Sequence, residues 1–253
     1  MSTPTLEICA GSWDSVLAAR SGGAARVELC SGLTEGGLTP SVGLIRAACA
    51  LGGVRVHVLI RPRGGDFLYT EAEVTLMEDD ICRAVEAGAD GVVVGSLTPD
   101  GDIDTRQLRR WVRAAGGRDV TFHRAFDLCR CPEEALEAII DSGCSRLLTS
   151  GQAATAEAGI PQLRRLVEQS AGRLSVMPGC GVGAGNAARI LAATGAREIH
   201  ASARRPVGSL MKFRHSGVSM GVPTDEYTRL ETSADEVRAI LASFGGLVPS
   251  ADV

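Results

Sequence analysis

Two short segments of the sequence combine a carboxylate and a thiol at the same spacing. Glu7 and Cys9 lie in LEIC, and Glu28 and Cys30 lie in VELC. Successive side chains of a β-strand point to opposite faces, so residues two apart share a face. If both segments are strands, each presents a glutamate and a cysteine together. Carboxylates can transfer protons and thiolates bind soft metal ions, so the repeated pair predicts a functional surface.

Ionisable and polar residues follow the same alternation in three further segments that read as strands. They are His57 and Arg61, then His123 and Asp127, and finally His200, Ser202 and Arg204. Because ionisable side chains are rarely buried without partners, their convergence on one interior would create a polar site. We predict that Glu7, Glu28 and His123 supply acid–base catalysis at that site.

The segment VTFHRAFD contains two neighbouring candidates. His123 and Arg124 are consecutive, so a continuous strand would direct them to opposite faces. We expect His123 to face the interior as an acid, a base or a ligand. We expect Arg124 to point outward and to pair against a helix.

A further group of residues could hold a negatively charged ligand. Arg61 lies in IRPRGGDF, and MPGCGV places Gly179 and Gly181 in a glycine-rich loop that precedes a helix. Backbone amides of such loops and planar guanidinium groups bind phosphate or carboxylate. Together with Ser202 and Arg204, these residues predict an anion-binding site.

Each candidate also has a purely structural interpretation. A single strand cysteine is commonly a small buried hydrophobic residue, and Glu28 could form an ion pair with Arg26. His57 and His200 could be core histidines that donate to backbone carbonyls. Arg61 could hold its own loop in place rather than bind a ligand.

The elements that must position these residues alternate regularly. Short apolar, β-branched segments separated by amphipathic ones predict eight strands, at residues 6–10, 26–31, 54–61, 91–97, 120–127, 146–151, 174–179 and 198–203. In four similar segments, a predicted helix ends at a glycine and a strand follows within a few residues. These predicted helix C-caps are Gly22, Gly88, Gly143 and Gly195.

This repetition predicts an α/β fold, a single (β/α)8 TIM barrel that spans residues 1–253. An open doubly wound sheet is the alternative, although no G-x-G-x-x-G motif follows the first strand. Residues 204–232 read mainly as neither helix nor strand, so we predict a long loop and then a final helix. Barrel chemistry takes place at the carboxyl ends of the strands, where the candidate residues would meet.

Composition excludes several classes of function. The net charge of −4 provides no broad attraction for nucleic acid or for an anionic membrane. The start of the sequence has neither a basic region nor an apolar signal core, so we expect a cytoplasmic protein with reduced thiols. Lys212 is the only lysine and follows the last predicted barrel strand, which argues against Schiff-base chemistry from a strand.

Eight segments taken together resemble the CutC family, which is named for copper homeostasis. They are LEIC, RVELCSGLTEGGLTPS, IRPRGGDFLYT, VTFHRAFD, LLTSGQ, VMPGCGV, EIHASAR and MKFR, in order from residue 6 to about residue 227. The resemblance implies a cytoplasmic TIM barrel that forms a homo-oligomer, either a dimer or a tetramer. It also implies Cu(I) binding through the thiols of Cys9 and Cys30. Cys180 departs from the family pattern, which would place glycine or alanine there.

Two functional hypotheses therefore remain open. The first is a copper-binding protein that uses Cys9 and Cys30. The second is a barrel enzyme that acts on a small anionic metabolite, which could be phosphorylated. Copper requires neither the glutamates nor the arginines, and these residues favour the enzyme. A barrel that serves only to bind a protein partner is a third hypothesis, and it leaves the polar site unexplained.

Overall fold

Eight parallel strands form a nearly closed barrel in the computed structural model, which describes residues 3–215, 217–218 and 226–245. The barrel strands are β1 (Thr5–Ala10), β2 (Arg26–Leu29), β3 (Arg55–Leu59), β4 (Gly91–Val94), β5 (Asp119–Phe122), β6 (Arg146–Thr149), β7 (Ser175–Pro178) and β8 (Glu198–Ala201). Their order is β7-β6-β5-β4-β3-β2-β1-β8, and β7 lies beside β8. The predicted TIM barrel is confirmed, and the open doubly wound alternative is wrong.

Eight α-helices accompany the strands in the described residues. They are α1 (Trp13–Gly22), α2 (Val42–Leu51), α3 (Glu71–Glu86), α4 (Thr105–Ala114), α5 (Pro132–Asp141), α6 (Ile160–Ser170), α7 (Ala187–Thr194) and α8 (Ala234–Phe244). Helix α3 shows how the sequence specifies them. The Thr70 hydroxyl and the Glu73 carboxylate form a reciprocal capping box at its start, and Val74, Met77 and Ile81 are buried along one face.

The predicted helix-ending glycines are confirmed in three of the four units. Gly88, Gly143 and Gly195 have φ values of 99°, 92° and 75°. Residues with a Cβ atom rarely adopt this left-handed region, whereas glycine adopts it readily. In the first unit, Gly23 takes this role and Gly22 is the last residue of α1. A Cβ atom at Gly22 would lie 2.5 Å from a side-chain carbon of Val237, so this glycine allows α8 to pack closely on α1.

The segment after β8 contains secondary structure that the sequence analysis missed. Strands β9 (Arg204–Gly208) and β10 (Thr228–Thr232) pair antiparallel and precede α8. All of β9 is exposed, so it shows no burial alternation that would reveal a strand. The predicted long loop is therefore partly wrong, and residues 216 and 219–225 of that prediction lie outside the described residues. The predicted final helix is confirmed.

A buried network of charges crosses the barrel interior. Arg26 is fully buried and donates hydrogen bonds to the carboxylates of Glu7 and Glu198. Arg146 also donates to Glu198, over 2.6 Å from its Nε atom, and its Nη1 atom lies 3.7 Å from Asp119. Arg26 pairs with Glu7 because the β1–β2 register places these residues side by side. Strands β1, β2, β6 and β8 are thus connected through buried ion pairs, and the half-exposed Asp119 extends the network to β5.

His57 belongs to this interior rather than to the carboxyl end of the barrel, so its expected place among the converging site residues is wrong. Its side chain is fully buried, and Nε2 lies 3.7 Å from the Asp119 carboxylate. Neither ring nitrogen has a hydrogen-bond partner in the described part of the chain. Burial, together with the charges of Arg26 and Arg146, lowers the pKa of His57 to about 4 even though Glu7 opposes this shift. The ring is therefore neutral at physiological pH.

We expect Arg26→Met to lower the free energy of unfolding by about 3–5 kcal/mol, because it leaves two buried carboxylates without this cation. Chemical denaturation measures the change. Arg83→Ala removes an exposed arginine that also contacts two carboxylates, and it should cost less than about 1 kcal/mol. Equal small losses in both variants would show that the buried network contributes little.

We expect His57→Gln to flatten the pH dependence of stability. The folded pKa of His57 lies below its ordinary value of 6.5, so the unfolded chain takes up a proton first as the pH falls. Wild-type stability from this group should therefore be complete above that value and fall by about 2 kcal/mol between about pH 7 and about pH 5. Denaturation at both pH values measures the difference, and parallel losses in the two proteins would contradict it.

Candidate functional site

A cavity of about 330 Å³ opens at the carboxyl ends of the barrel strands. The sequence-predicted residues that line it are Cys9, Glu28, Arg61, His123, Gly181, His200, Ser202 and Arg204. They come from β1, β2, β8 and the segments that follow β3, β5, β7 and β8. The carboxyl end thus brings together most of the candidates, whereas Glu7, Cys30 and Gly179 lie outside the lining.

Glu7 lies beneath the cavity, so its expected position at the mouth is wrong. Its carboxylate is fully buried, pairs with Arg26, and lies 2.8 Å from Nδ1 of His200. Burial alone would raise the pKa of Glu7, but the hydrogen bond from His200 and the charge of Arg26 hold this pKa far below its usual range. Glu7 is therefore an ionised partner of His200, and its direct acid–base role remains a prediction.

His200 connects this buried carboxylate to the cavity. The β1–β8 register places His200 beside Glu7, and its other ring nitrogen, Nε2, lies 3.8 Å from the Glu28 carboxylate. Burial would lower the pKa of His200, but the hydrogen bond with Cys9 and the charges of Glu28 and Glu7 raise it well above its ordinary value. Without a bound metal ion, the partly exposed His200 is an imidazolium.

Glu28 and Cys9 are neighbours in the β1–β2 register and both face the cavity. Burial raises the pKa of Glu28, although the charge of His200 opposes the shift. A hydrogen bond with Cys30 and burial both raise the pKa of Cys9 well above its ordinary value. Cys9 is therefore a protonated thiol in the metal-free protein.

The two family-pattern thiols lie close together in different surroundings. The Sγ atoms of Cys9 and Cys30 are 3.6 Å apart. Cys9 is half-buried at the cavity, whereas Cys30 is fully buried and packs with Leu59 and Val93. The packing of Cys30 is that of a small buried hydrophobic residue. Its contact with Cys9 is also compatible with a role as a metal ligand.

Cys9, Glu28 and His200 form the one group of three candidate metal ligands found in the described residues. Their ligand atoms all lie within 4.8 Å of one another. Strand alternation predicted that these residues share one face, but the predicted metal ligands were Cys9 and Cys30. The missing information was the height of each residue in the barrel, which strand alternation does not specify.

Strand β5 ends at Phe122, and residues Arg124–Leu128 form a short 3-10 helix. Strand alternation therefore does not apply to His123 and Arg124, and both line the cavity. Instead of pointing outward against a helix, Arg124 pairs with Asp127 over 2.7 Å. The i,i+3 spacing of these two residues is the sequence signal that could have indicated a helical turn.

His123 is a buried neutral imidazole at the cavity wall. Its Nδ1 atom accepts a hydrogen bond from the Ala125 amide over 3.1 Å, and its Nε2 atom has no partner among the described residues. Burial, with the charge of Arg61, lowers the pKa of His123 to about 3. Because Nδ1 is an acceptor, the proton resides on Nε2, which leaves one unused donor.

Asp127 organises the loop after β6 rather than facing the cavity with His123. Its carboxylate accepts hydrogen bonds from the backbone amides of Ser150 and Gln152, over 3.1 and 3.2 Å. It also accepts from the Ser150 hydroxyl over 3.0 Å. Through its ion pair it holds Arg124 at the cavity.

The guanidinium of Arg61 is largely occupied by backbone carbonyls. Nη1 donates to Glu35 and Gly37 over 2.7 and 3.0 Å, and Nη2 donates to Gly65 over 2.8 Å. Only Nε lacks a partner in the described structure. The structural interpretation of Arg61 as a loop anchor is therefore confirmed, and its anion-binding role remains a prediction.

The glycine-rich loop after β7 is tightly constrained. A Cβ atom at Gly179 would lie 2.5 Å from Leu148, so close packing requires glycine there. Cys180 and Gly181 both have positive φ, at 87° and 69°. Cys180 thus occupies a backbone conformation that suits glycine, and its thiol lies 3.3 Å from the Ala154 carbonyl.

Ser202 and Arg204 extend the cavity wall beyond β8. Ser202 is half-buried, and its carbonyl accepts a hydrogen bond from the Thr232 hydroxyl over 3.3 Å. Arg204 begins the β9–β10 hairpin and is exposed at the rim. Together with Arg124, it places positive charge at the entrance.

No helix in the described ranges is long and apolar enough to cross a membrane.

Among solved structures, one is similar to this chain in both sequence and fold, and another is similar in fold alone. A crystal structure of a Streptococcus agalactiae protein named copper homeostasis protein CutC is 35% identical, with a TM-score of 0.75. The match covers 78% of this chain and 98% of that protein. Deoxyribose phosphate aldolase from Aeropyrum pernix has a TM-score of 0.61 at 17% identity, over 96% of this chain and 90% of the aldolase. That second likeness shows the barrel fold alone.

Sequence comparison connects the chain to proteins of one family. A family protein CutC from Chromobacterium violaceum is 56% identical over 238 residues, which cover 93% of this chain and 96% of the relative. A human protein named copper homeostasis protein cutC homolog is 46% identical, with 94% of this chain and 88% of the relative covered. The CutC family model matches residues 4–205. The chain therefore belongs to the CutC family.

Proposed function

We propose that this CutC family protein serves copper homeostasis by binding Cu(I) through Cys9 and Cys30. The observation that carries the proposal is the 3.6 Å separation of the two Sγ atoms. Cu(I) is a soft ion that favours thiolate and imidazole ligands, so two adjacent thiols offer it a suitable pair. The names of the relatives in Streptococcus agalactiae and human support a role in copper homeostasis.

His200 lies beside Cys9, in the group of candidate ligands that contains Glu28 rather than Cys30. Its Nε2 edge faces the space between Cys9 and Glu28, while Glu7 holds the opposite nitrogen. Copper reaches the thiols through the cavity, which Cys9 lines. Since thiolates are the binding form, copper displaces the proton that the hydrogen bond with Cys30 and burial retain on Cys9 in the metal-free protein.

We expect Cys9→Ser and Cys30→Ser each to weaken Cu(I) binding by at least about tenfold, because each removes one soft ligand. Anaerobic titration against a competing Cu(I) chelator measures the affinity. Cys82→Ser is the control, since Cys82 is an exposed cysteine on α3. Equal affinity in the wild type and all three variants would refute the thiol pair as the copper site.

A second function is favoured by the unused donor of His123. We propose that the cavity of the metal-free protein binds a small anionic metabolite and that Glu28 and His123 perform acid–base chemistry on it. The cavity volume of about 330 Å³ suits a small ligand, and Arg124 and Arg204 supply positive charge at its entrance. The ligand would accept a hydrogen bond from Nε2 of His123, which is otherwise unsatisfied in the described structure.

We expect a ligand of this class to raise the thermal stability of the wild type. At 100 times its Kd, a ligand adds about 2.7 kcal/mol to the free energy of unfolding. A thermal-shift panel of inorganic phosphate, sugar phosphates and small carboxylates tests the wild type and a Glu28→Ala His123→Ala double variant. Arg83→Ala, on the outer surface of α3, is the control. If none of the panel stabilises the wild type more than the double variant, the enzyme hypothesis loses its basis.

We also propose a cytoplasmic location and a homo-oligomer, either a dimer or a tetramer. All eight cysteines are free, which fits a reducing compartment. Leu210, Met211 and Phe213 are exposed apolar residues beyond β9, and a second copy of the chain would cover them. Cell fractionation and analytical ultracentrifugation test these two properties, and a monomer at all concentrations would refute the oligomer.

A further inference from the structure

We infer that Cys9, Glu28 and His200 form a second, distinct metal site, which binds Zn²⁺ and leaves one coordination position open to the cavity. The three residues lie on the adjacent strands β1, β2 and β8, and their ligand atoms lie within 4.8 Å of one another. This site shares Cys9 with the proposed copper pair but uses Glu28 in place of Cys30.

The types of ligand in this group suit zinc. Zn²⁺ is bound by cysteine sulfur, histidine nitrogen and carboxylate oxygen, whereas a carboxylate is a poor ligand for Cu(I). The summed charge of the ligands and the metal ion also favours zinc. A thiolate, a carboxylate and Zn²⁺ sum to zero, which suits a site as buried as Glu28. Two thiolates with Cu(I) would leave one negative charge for neighbouring groups to offset.

Glu7 prepares His200 for this role. Its buried carboxylate lies 2.8 Å from Nδ1 of His200 and fixes the orientation of the ring. Nε2 is then directed toward Glu28, at 3.8 Å from the carboxylate. Zinc-binding histidines characteristically donate their second ring proton to a carboxylate in this way. The interaction of Glu7 thus supports a metal-ligand role for His200 independently of the three-residue group.

The open side of the group faces the cavity. Cys9, Glu28 and His200 all line it, and His123 and Arg204 line other parts of the wall. Zinc sites with three protein ligands keep a fourth position for water or substrate. We assign that position to an exchangeable oxygen ligand, either water or an oxygen of a small anionic compound held in the cavity.

Cobalt(II), which replaces zinc and reports a bound thiolate by charge-transfer absorption, provides the test. Co²⁺ and Zn²⁺ are titrated separately into the metal-free protein, with zinc affinity measured against a chromophoric chelator. We expect Glu28→Gln and Cys9→Ser each to weaken zinc binding by at least about tenfold. We expect Cys30→Ser to bind zinc as the wild type does, with Cys82→Ser as the control for an exposed cysteine. Circular dichroism of every variant establishes that it is folded.

The outcomes separate this site from the copper proposal. Zinc binding that depends on Glu28, together with Cu(I) binding that depends on Cys30, supports two sites with one shared thiol. If Glu28→Gln binds zinc as tightly as the wild type, the zinc inference is overturned, and the copper proposal still stands. Equal losses of zinc affinity in Cys9→Ser and Cys30→Ser would also overturn it, because the thiol pair would then hold both metals.

Discussion

The geometry of the site depends on the interactions of one buried carboxylate, that of Glu7. It pairs with Arg26 from β2 and with His200 from β8, so one side chain connects three adjacent strands. Burial opposes ionisation of this carboxylate, but the hydrogen bond from His200 and the charge of Arg26 hold its pKa low, and the ionised carboxylate fixes the imidazole ring. This contact orients His200 toward Cys9 and Glu28. The charge network below the cavity and the ligand geometry at its floor are therefore one connected arrangement.

This arrangement brings two candidate sets of metal ligands together in one barrel. Cys9 lies between a second thiol, Cys30, and a carboxylate, Glu28, so the same sulfur belongs to a soft ligand pair and to a mixed ligand group. Soft Cu(I) favours the first set and Zn²⁺ favours the second. Above both sets, His123 and the entrance arginines surround space for a small molecule. The proposed metal sites and the proposed ligand site are therefore adjoining parts of one cavity.

The barrel could be predicted from the sequence because strands and helices alternate with clear periodicity. The face of each residue on β1, β2 and β8 followed from the same rule, but its height did not, because strand register is not a local property. This is why Glu7 was expected in the cavity, although it lies one layer below Cys9. His123 and Arg124 were separated wrongly, since the strand ends one residue before them. The exposed hairpin after β8 was missed because burial imposes no pattern on it.

In the proposed copper site, Cys9 and Cys30 bind Cu(I) together. Anomalous diffraction at the copper edge, from crystals grown anaerobically with one equivalent of Cu(I), tests it most directly. We expect a single strong copper peak bonded to the Sγ atoms of Cys9 and Cys30. A copper peak at another cysteine, such as the exposed Cys82, with the two strand thiols unbound, would contradict it.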